Sequence, residues 1–174
     1  VKRGVDLVCF SGDKLFGGPQ AGVIAGRRRL IDALKREPLF RALRCDKLIL
    51  SGLESTVDAY LRGEPRLPVL DMMRADIDEL RTRADRIVAA LHGRPLRLRV
   101  STARAQIGGG TLPRSALPSI TIEVTHQTIG AQALAALLRT QPEPVIAYVG
   151  RGSLKLDLRT VFPHQDAAVI RALV

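Results

Sequence analysis

Aromatic residues are scarce in this 174-residue chain, at 3% of positions with no tryptophan. Proteins that hold single-stranded nucleic acid stack its bases on such rings, so a stacking platform is excluded here. Cysteine is scarce as well. Cys9 and Cys45 lie in apolar surroundings with no CxxC spacing and no histidine nearby. That argues against a zinc site or a disulfide framework and predicts two buried free thiols. His92, His126 and His164 stand apart from one another and are expected as loop or capping residues, so no metal site is expected. No apolar run approaches the roughly 18 residues of a membrane span. The apolar part of VKRGVDLVCF is too short for a secretory leader. The expectation is a soluble, cytoplasmic protein with no membrane contact.

What the chain does have is a hydrophobic fraction of 46%, enough for a real core, and a net charge of +10. An excess of Lys and Arg fits a polyanionic partner, since cations that neutralise phosphates release counterions. The arginines are nevertheless spread along the whole chain, as a compositional bias would also place them. Charge alone leaves the partner open.

Residues Asp6–Phe10 (DLVCF) and Ala21–Ala25 (AGVIA) are uninterrupted apolar runs, expected as buried strands of a parallel or mixed sheet. Helical spacing over Arg27–Glu37 stops before Pro38. A second helix is expected from Asp46 to Leu61 on the recurrence of Leu50, Leu53, Val57 and Leu61. After a proline-bearing connector, Gly63–Leu70, one long helix is expected from Leu70 to Leu91, with the domain boundary along it. Strands are then expected at Leu96–Ser101, Ser119–Val124, Val145–Val149 and Ser153–Leu158, and helices at Ile129–Leu138 and His164–Leu173. This order predicts a small α+β domain at the C-terminal end. Gly108–Gly110 lacks the GxGxxG spacing of a phosphate cradle and is expected as a tight turn.

Between the first two strands lies SGDKLFGGPQAG, Ser11–Gly22. A lysine becomes a covalent catalyst when its surroundings supply the neutral amine, which condenses with an aldehyde such as that of pyridoxal phosphate. Gly12, Gly17 and Gly18 permit close approach to Lys14. An ordinary hairpin turn with an exposed lysine has the same appearance.

The wider sequence narrows that choice. DLVCFSGDKLFGGPQAG, PLFRALRCDK, IGGGTLP followed by LPS, and LKLDLRTVFP occur in that order. Together they resemble the bacterial selenocysteine synthases, the L-seryl-tRNA(Sec) selenium transferases, over nearly the whole chain. The resemblance implies an α/β chain of fold type I among pyridoxal-phosphate transferases. Residues 1–78 would be the C-terminal part of the large cofactor-binding domain with its connecting helix, and 79–174 a small C-terminal α+β domain. It implies that Lys14 forms the Schiff base with pyridoxal 5'-phosphate, that Asp13 assists proton transfer, and that Arg41 and Arg44 bind selenophosphate. Guanidinium groups suit so compact and highly charged a donor, and if their segment is helical the two project from one face. A random Arg-x-x-Arg would be a solvated basic face, and Lys47 extends the same cluster to phosphate or to the surface.

The implied reaction converts L-seryl-tRNA(Sec) to L-selenocysteyl-tRNA(Sec) through a cofactor-bound aminoacrylate, in a homo-oligomer built as a ring of dimers. The resemblance also implies that the tRNA-contacting N-terminal domain and the first half of the cofactor domain are not in this sequence. As a complete polypeptide, the chain is expected to bind the cofactor poorly and to be inactive alone. Two alternatives stand beside this reading: a related pyridoxal-phosphate lyase or aminotransferase acting on a small substrate, and a non-catalytic basic module that binds RNA or supports oligomerisation. Retention of Arg41 and Arg44 favours the selenium transferase.

Overall fold

The computed structural model describes residues 4–63, 67–107 and 115–174. The expected Gly108–Gly110 turn lies outside the described residues. The chain divides into two compact units, Val1–Asp71 and Met72–Val174.

In the first unit, β1 (Leu7–Ser11) pairs antiparallel with β2 (Gly22–Gly26), Leu7 opposite Gly26 and Ser11 opposite Gly22. The apolar runs are strands as expected, but neither parallel nor buried: Val8, Phe10 and Ile24 are all exposed. An apolar run marks a strand without fixing its direction. Residues 12–21 are enough for an antiparallel return, whereas a parallel neighbour usually needs a longer crossover. Cys9 is exposed on this hairpin and Cys45 half-exposed beyond it, which corrects the expectation of two buried thiols.

Helix α1 (Arg28–Arg36) ends at Glu37, and Pro38 opens the short α2 (Pro38–Ala42), where its missing N–H costs nothing. Helix α3 (Lys47–Leu61) is capped by Asp46, whose carboxylate accepts from the Leu48 and Ile49 amides at 2.9 Å. The leucine spacing finds this helix but not its packed face. Leu50, Val57 and Leu61 are exposed. The packed side is Gly52, Leu53, Thr56 and Tyr60, which meets the loop between the strands of the hairpin.

The division between the units falls within α4 (Pro68–Arg74). The expected single helix from Leu70 to Leu91 is two, because α5 (Ile77–Ala90) starts afresh. Asp76 has extended backbone, and its side chain caps the Asp78 and Glu79 amides at 2.8 and 3.2 Å.

In the second unit, β3 (Leu96–Gln106), β4 (Ala116–His126), β5 (Tyr148–Gly150) and β6 (Ser153–Asp157) form an antiparallel sheet of order β3-β4-β6-β5. Val145 is left out of the expected strand because its amide bonds the Leu138 carbonyl at 3.0 Å, at the end of α6 (Ala131–Arg139). The chain closes with a 3₁₀ turn, Pro163–Gln165, and α7 (Asp166–Ala172). One sheet face carries Ile120, Ile122, Val124, Leu154 and Leu156, which pack with Leu80, Ile87 and Leu91 of the α5 segment and with Leu134 and Leu138 of α6. Helices and antiparallel sheets in this order agree with the α+β expectation.

Candidate active site

The lysine loop is built by its glycines. Gly12 continues the hairpin, its amide donating to the Ala21 carbonyl at 2.7 Å, and its own carbonyl accepts from Gly18 at 2.7 Å. Gly17, at φ +75°, donates to the Lys14 carbonyl at 2.9 Å and closes the turn. A Cβ on Gly12 would stand 2.8 Å from the Pro19 carbonyl oxygen, so this position admits no side chain without a shift of backbone. Helix α3 anchors the same loop. The Tyr60 hydroxyl donates to the Phe16 carbonyl at 3.1 Å, and the two rings stack at 5.1 Å between centroids.

The segment around Lys14 is therefore held from two sides while its polar side chains are left outside. Asp13 and Lys14 are both exposed. Among the described residues neither side chain has a hydrogen-bond or ion-pair partner. The Lys14 amine is thus carried on a hydrogen-bonded turn and left open to solvent.

Arg41 stands in the last turn of α2, but the helix ends at Ala42 and Leu43 leaves helical geometry at ψ 6°. Arg44 lies beyond it, so the argument from one helical face does not hold for this pair. Both are exposed, as is Lys47 at the first position of α3, and the three basic residues bracket the α2–α3 connection. No hydrogen bond or ion pair among the described residues joins Arg41 or Arg44 to Asp13 or Lys14.

The second unit holds charged residues of another kind. Arg83 is buried and makes a bidentate pair with Asp166, at 3.0 and 2.6 Å, and donates to the Val161 carbonyl at 2.7 Å. Arg159 is buried too. Its guanidinium donates to the Pro118 carbonyl and to the carbonyls of Met72, Met73 and Ala75, closing the last turn of α4. Glu123 accepts from Lys155 at 2.7 Å, from Arg99 at 2.7 Å and from Ser101 at 3.2 Å. These donors, Lys155 foremost, hold its carboxyl down at about 2. Sequence reading missed all three arrangements. The one available signal was that Arg159 falls inside LKLDLRTVFP.

His126 closes the turn after β4, its Nδ1 accepting from the Thr128 and Ile129 amides at 3.1 Å. His164 stacks on Phe162, and His92 is exposed just after α5. Among the described residues, no three or more His, Cys, Asp or Glu side chains are grouped to hold a metal ion, and no helix is long and apolar enough to cross a membrane.

Residues 1–162 match the family model described as L-seryl-tRNA selenium transferase. Curated relatives carrying the name L-seryl-tRNA(Sec) selenium transferase include one from Aquifex aeolicus, 40% identical over 173 residues, covering 98% of this chain and 38% of the relative. Another, from Geobacter sulfurreducens, is 42% identical over 179 residues, covering 99% and 39%. A third, from Moorella thermoacetica, is 42% identical over 180 residues, covering 100% and 38%. The chain thus spans about two-fifths of the length of these relatives.

Proposed function

The chain belongs to the L-seryl-tRNA selenium transferase family, and from that premise we propose that it carries the lysine-bearing part of a pyridoxal-phosphate enzyme of fold type I. The proposed reaction converts L-seryl-tRNA(Sec) to L-selenocysteyl-tRNA(Sec) with selenophosphate as donor. The observation that carries the reading is the family match over residues 1–162, which encloses Asp13, Lys14, Arg41 and Arg44. In this reading residues 1–78 end the cofactor-binding domain and 79–174 form the small domain, within a homo-oligomer.

The free, exposed amine of Lys14 on its pinned turn fits covalent anchoring of the cofactor aldehyde. When bound, pyridoxal phosphate supplies the electron sink that lets the bonds at the seryl α- and β-carbons break. Lys14 Nζ takes the proton from the α-carbon, and Asp13, its neighbour in sequence, assists that transfer. Arg41 and Arg44 bind the donor's phosphoryl oxygens and stabilise the phosphate that departs once selenium has been delivered. Arg41 at the end of α2 and Arg44 in the α2–α3 connection are both free to take up the donor, since neither guanidinium is committed to an ion pair among the described residues.

The test is selenium transfer by a chimera in which this chain replaces the corresponding part of the Aquifex aeolicus relative. Lys14→Ala abolishes transfer. Arg44→Ala raises the apparent KM for selenophosphate by about 10- to 100-fold, the loss of one or two charge-assisted hydrogen bonds. A chimera indifferent to both substitutions contradicts the proposal, and activity on small amino acids without tRNA assigns the chain to the lyase or aminotransferase alternative.

A further inference from the structure

Helix α1 separates its charged residues from its apolar ones. At about 100° per residue, Arg28, Arg29, Asp32, Lys35 and Arg36 fall within an arc of about 120°, and all five are exposed. Leu30, Ile31 and Leu34 occupy the opposite side and are half-buried. Ile31 and Leu34 line a small crevice with Ile24 of β2 and Phe40 of α2. The apolar side is thus engaged with the fold, and of the cations only Lys35 also lines the crevice.

Two of the four cations are placed against local stability, whereas Lys35 and Arg36 lie in the last turn, where the helix dipole favours them. The first turn of α1 contains no acid, and Arg28 and Arg29 occupy the end where the helix dipole favours negative charge. Asp32 is the one acid on this face, and it pairs weakly with Arg28 at 3.7 Å. Arg29, Lys35 and Arg36 have no ion-pair partner among the described residues. The face thus carries four cations against one acid, and three of the four have no ion-pair partner among the described residues, which leaves an open cationic surface for an external anion.

We propose that the exposed face of α1 is an RNA-backbone docking surface, with Arg29, Lys35 and Arg36 contacting successive phosphates of the tRNA substrate. Nine residues of helix extend about 13 Å, long enough to meet more than one phosphate. The chemistry required is charge without stacking, which agrees with the scarcity of aromatic residues. An anionic membrane would offer the same charge, but an interfacial helix inserts its apolar side, and here that side faces β2 and Phe40. The surface is read from the helix itself. The choice of tRNA as the polyanion rests on the proposed function.

The experiment measures binding of a fluorescently labelled, unacylated tRNA transcript to the full 174-residue chain across a salt series. Arg29→Ala/Lys35→Ala/Arg36→Ala is compared with Arg81→Ala/Arg86→Ala/Arg139→Ala, which removes equal charge from exposed positions of the second unit. Alanine preserves α1, and circular dichroism checks it. The α1 variant is expected to bind at least about tenfold more weakly at about 0.1 M salt and to lose about 2 from the slope of log K against log salt. The control variant keeps both, and Asp32→Asn binds more tightly than the parent. Equal losses in the two triple variants would overturn the proposal, leaving only diffuse attraction by net charge. Binding of phosphatidylserine vesicles through α1 with no binding of tRNA would overturn it as well. Binding of tRNA through α1 in a chain whose chimera transfers no selenium supports the surface and faults only the proposed function, whereas transfer with α1-independent binding faults only the surface.

Discussion

Among individual residues, Lys14 contrasts with the buried cations in having no structural commitment among the described residues. Lys14 is exposed and without a partner among the described residues, whereas Arg159 is buried and spends its guanidinium on backbone carbonyls. Arg159→Met leaves the Pro118, Met72 and Ala75 carbonyls without this donor and is expected to destabilise the second unit by about 3 kcal/mol or more in chemical denaturation. Lysine does not rescue it, since one ammonium cannot reproduce the fork that reaches Pro118 and α4 together. Glu123 makes a pH-dependent contribution. Its folded carboxyl is held at about 2, below the ordinary glutamate value, so its stabilisation is full above pH 5 and is lost as pH falls towards 2. Denaturation midpoints measured between pH 5.5 and 2.5 should fall more steeply in the parent than in Glu123→Gln. Neither arginine was legible in the sequence. Both sit among many exposed arginines, and their partners lie more than 40 positions away in the chain. The turn around Lys14 was legible because its glycines are adjacent to it, but the choice of Lys14 as a site residue came from the resemblance of the wider sequence.

Local sequence fixed the secondary structure elements more securely than their surroundings. Asp46 marked the start of α3 and Pro38 the end of α1 because each acts within one turn, whereas the short α2 that Pro38 opens was not expected. The strand direction of β1 and β2 and the packed face of α3 depend on what the chain does elsewhere, and a run of apolar residues carries no such information. The break before α5 escaped notice because apolar spacing continues across it; the decisive feature was the Asp76 side chain at its start. Two substitutions examine these elements. Asp46→Ala removes the α3 cap and is expected to cost about 1 kcal/mol. Gly12→Ala forces a Cβ against the Pro19 carbonyl and the Leu53 side chain. It is expected to cost about 1–3 kcal/mol and to displace the lysine turn, lowering the reactivity of Lys14 out of proportion to the lost stability. The Arg41–Arg44 pair shows the opposite limit of local reading: its spacing suggested one helical face, yet α2 stops between them because Leu43 leaves helical geometry.

The whole chain combines a net charge of +10 with a family match over most of its length and a span of about two-fifths of its curated relatives. The exposed cations of α1 and the lysine turn both lie within the matched residues. The most direct measurement of the central claim is borohydride reduction of the pyridoxal-phosphate-loaded chimera, followed by peptide mass spectrometry. The account predicts a phosphopyridoxyl group on Lys14 and its disappearance in Lys14→Ala. A label on Lys2, Lys35, Lys47 or Lys155 instead, or one that persists in Lys14→Ala, would contradict it.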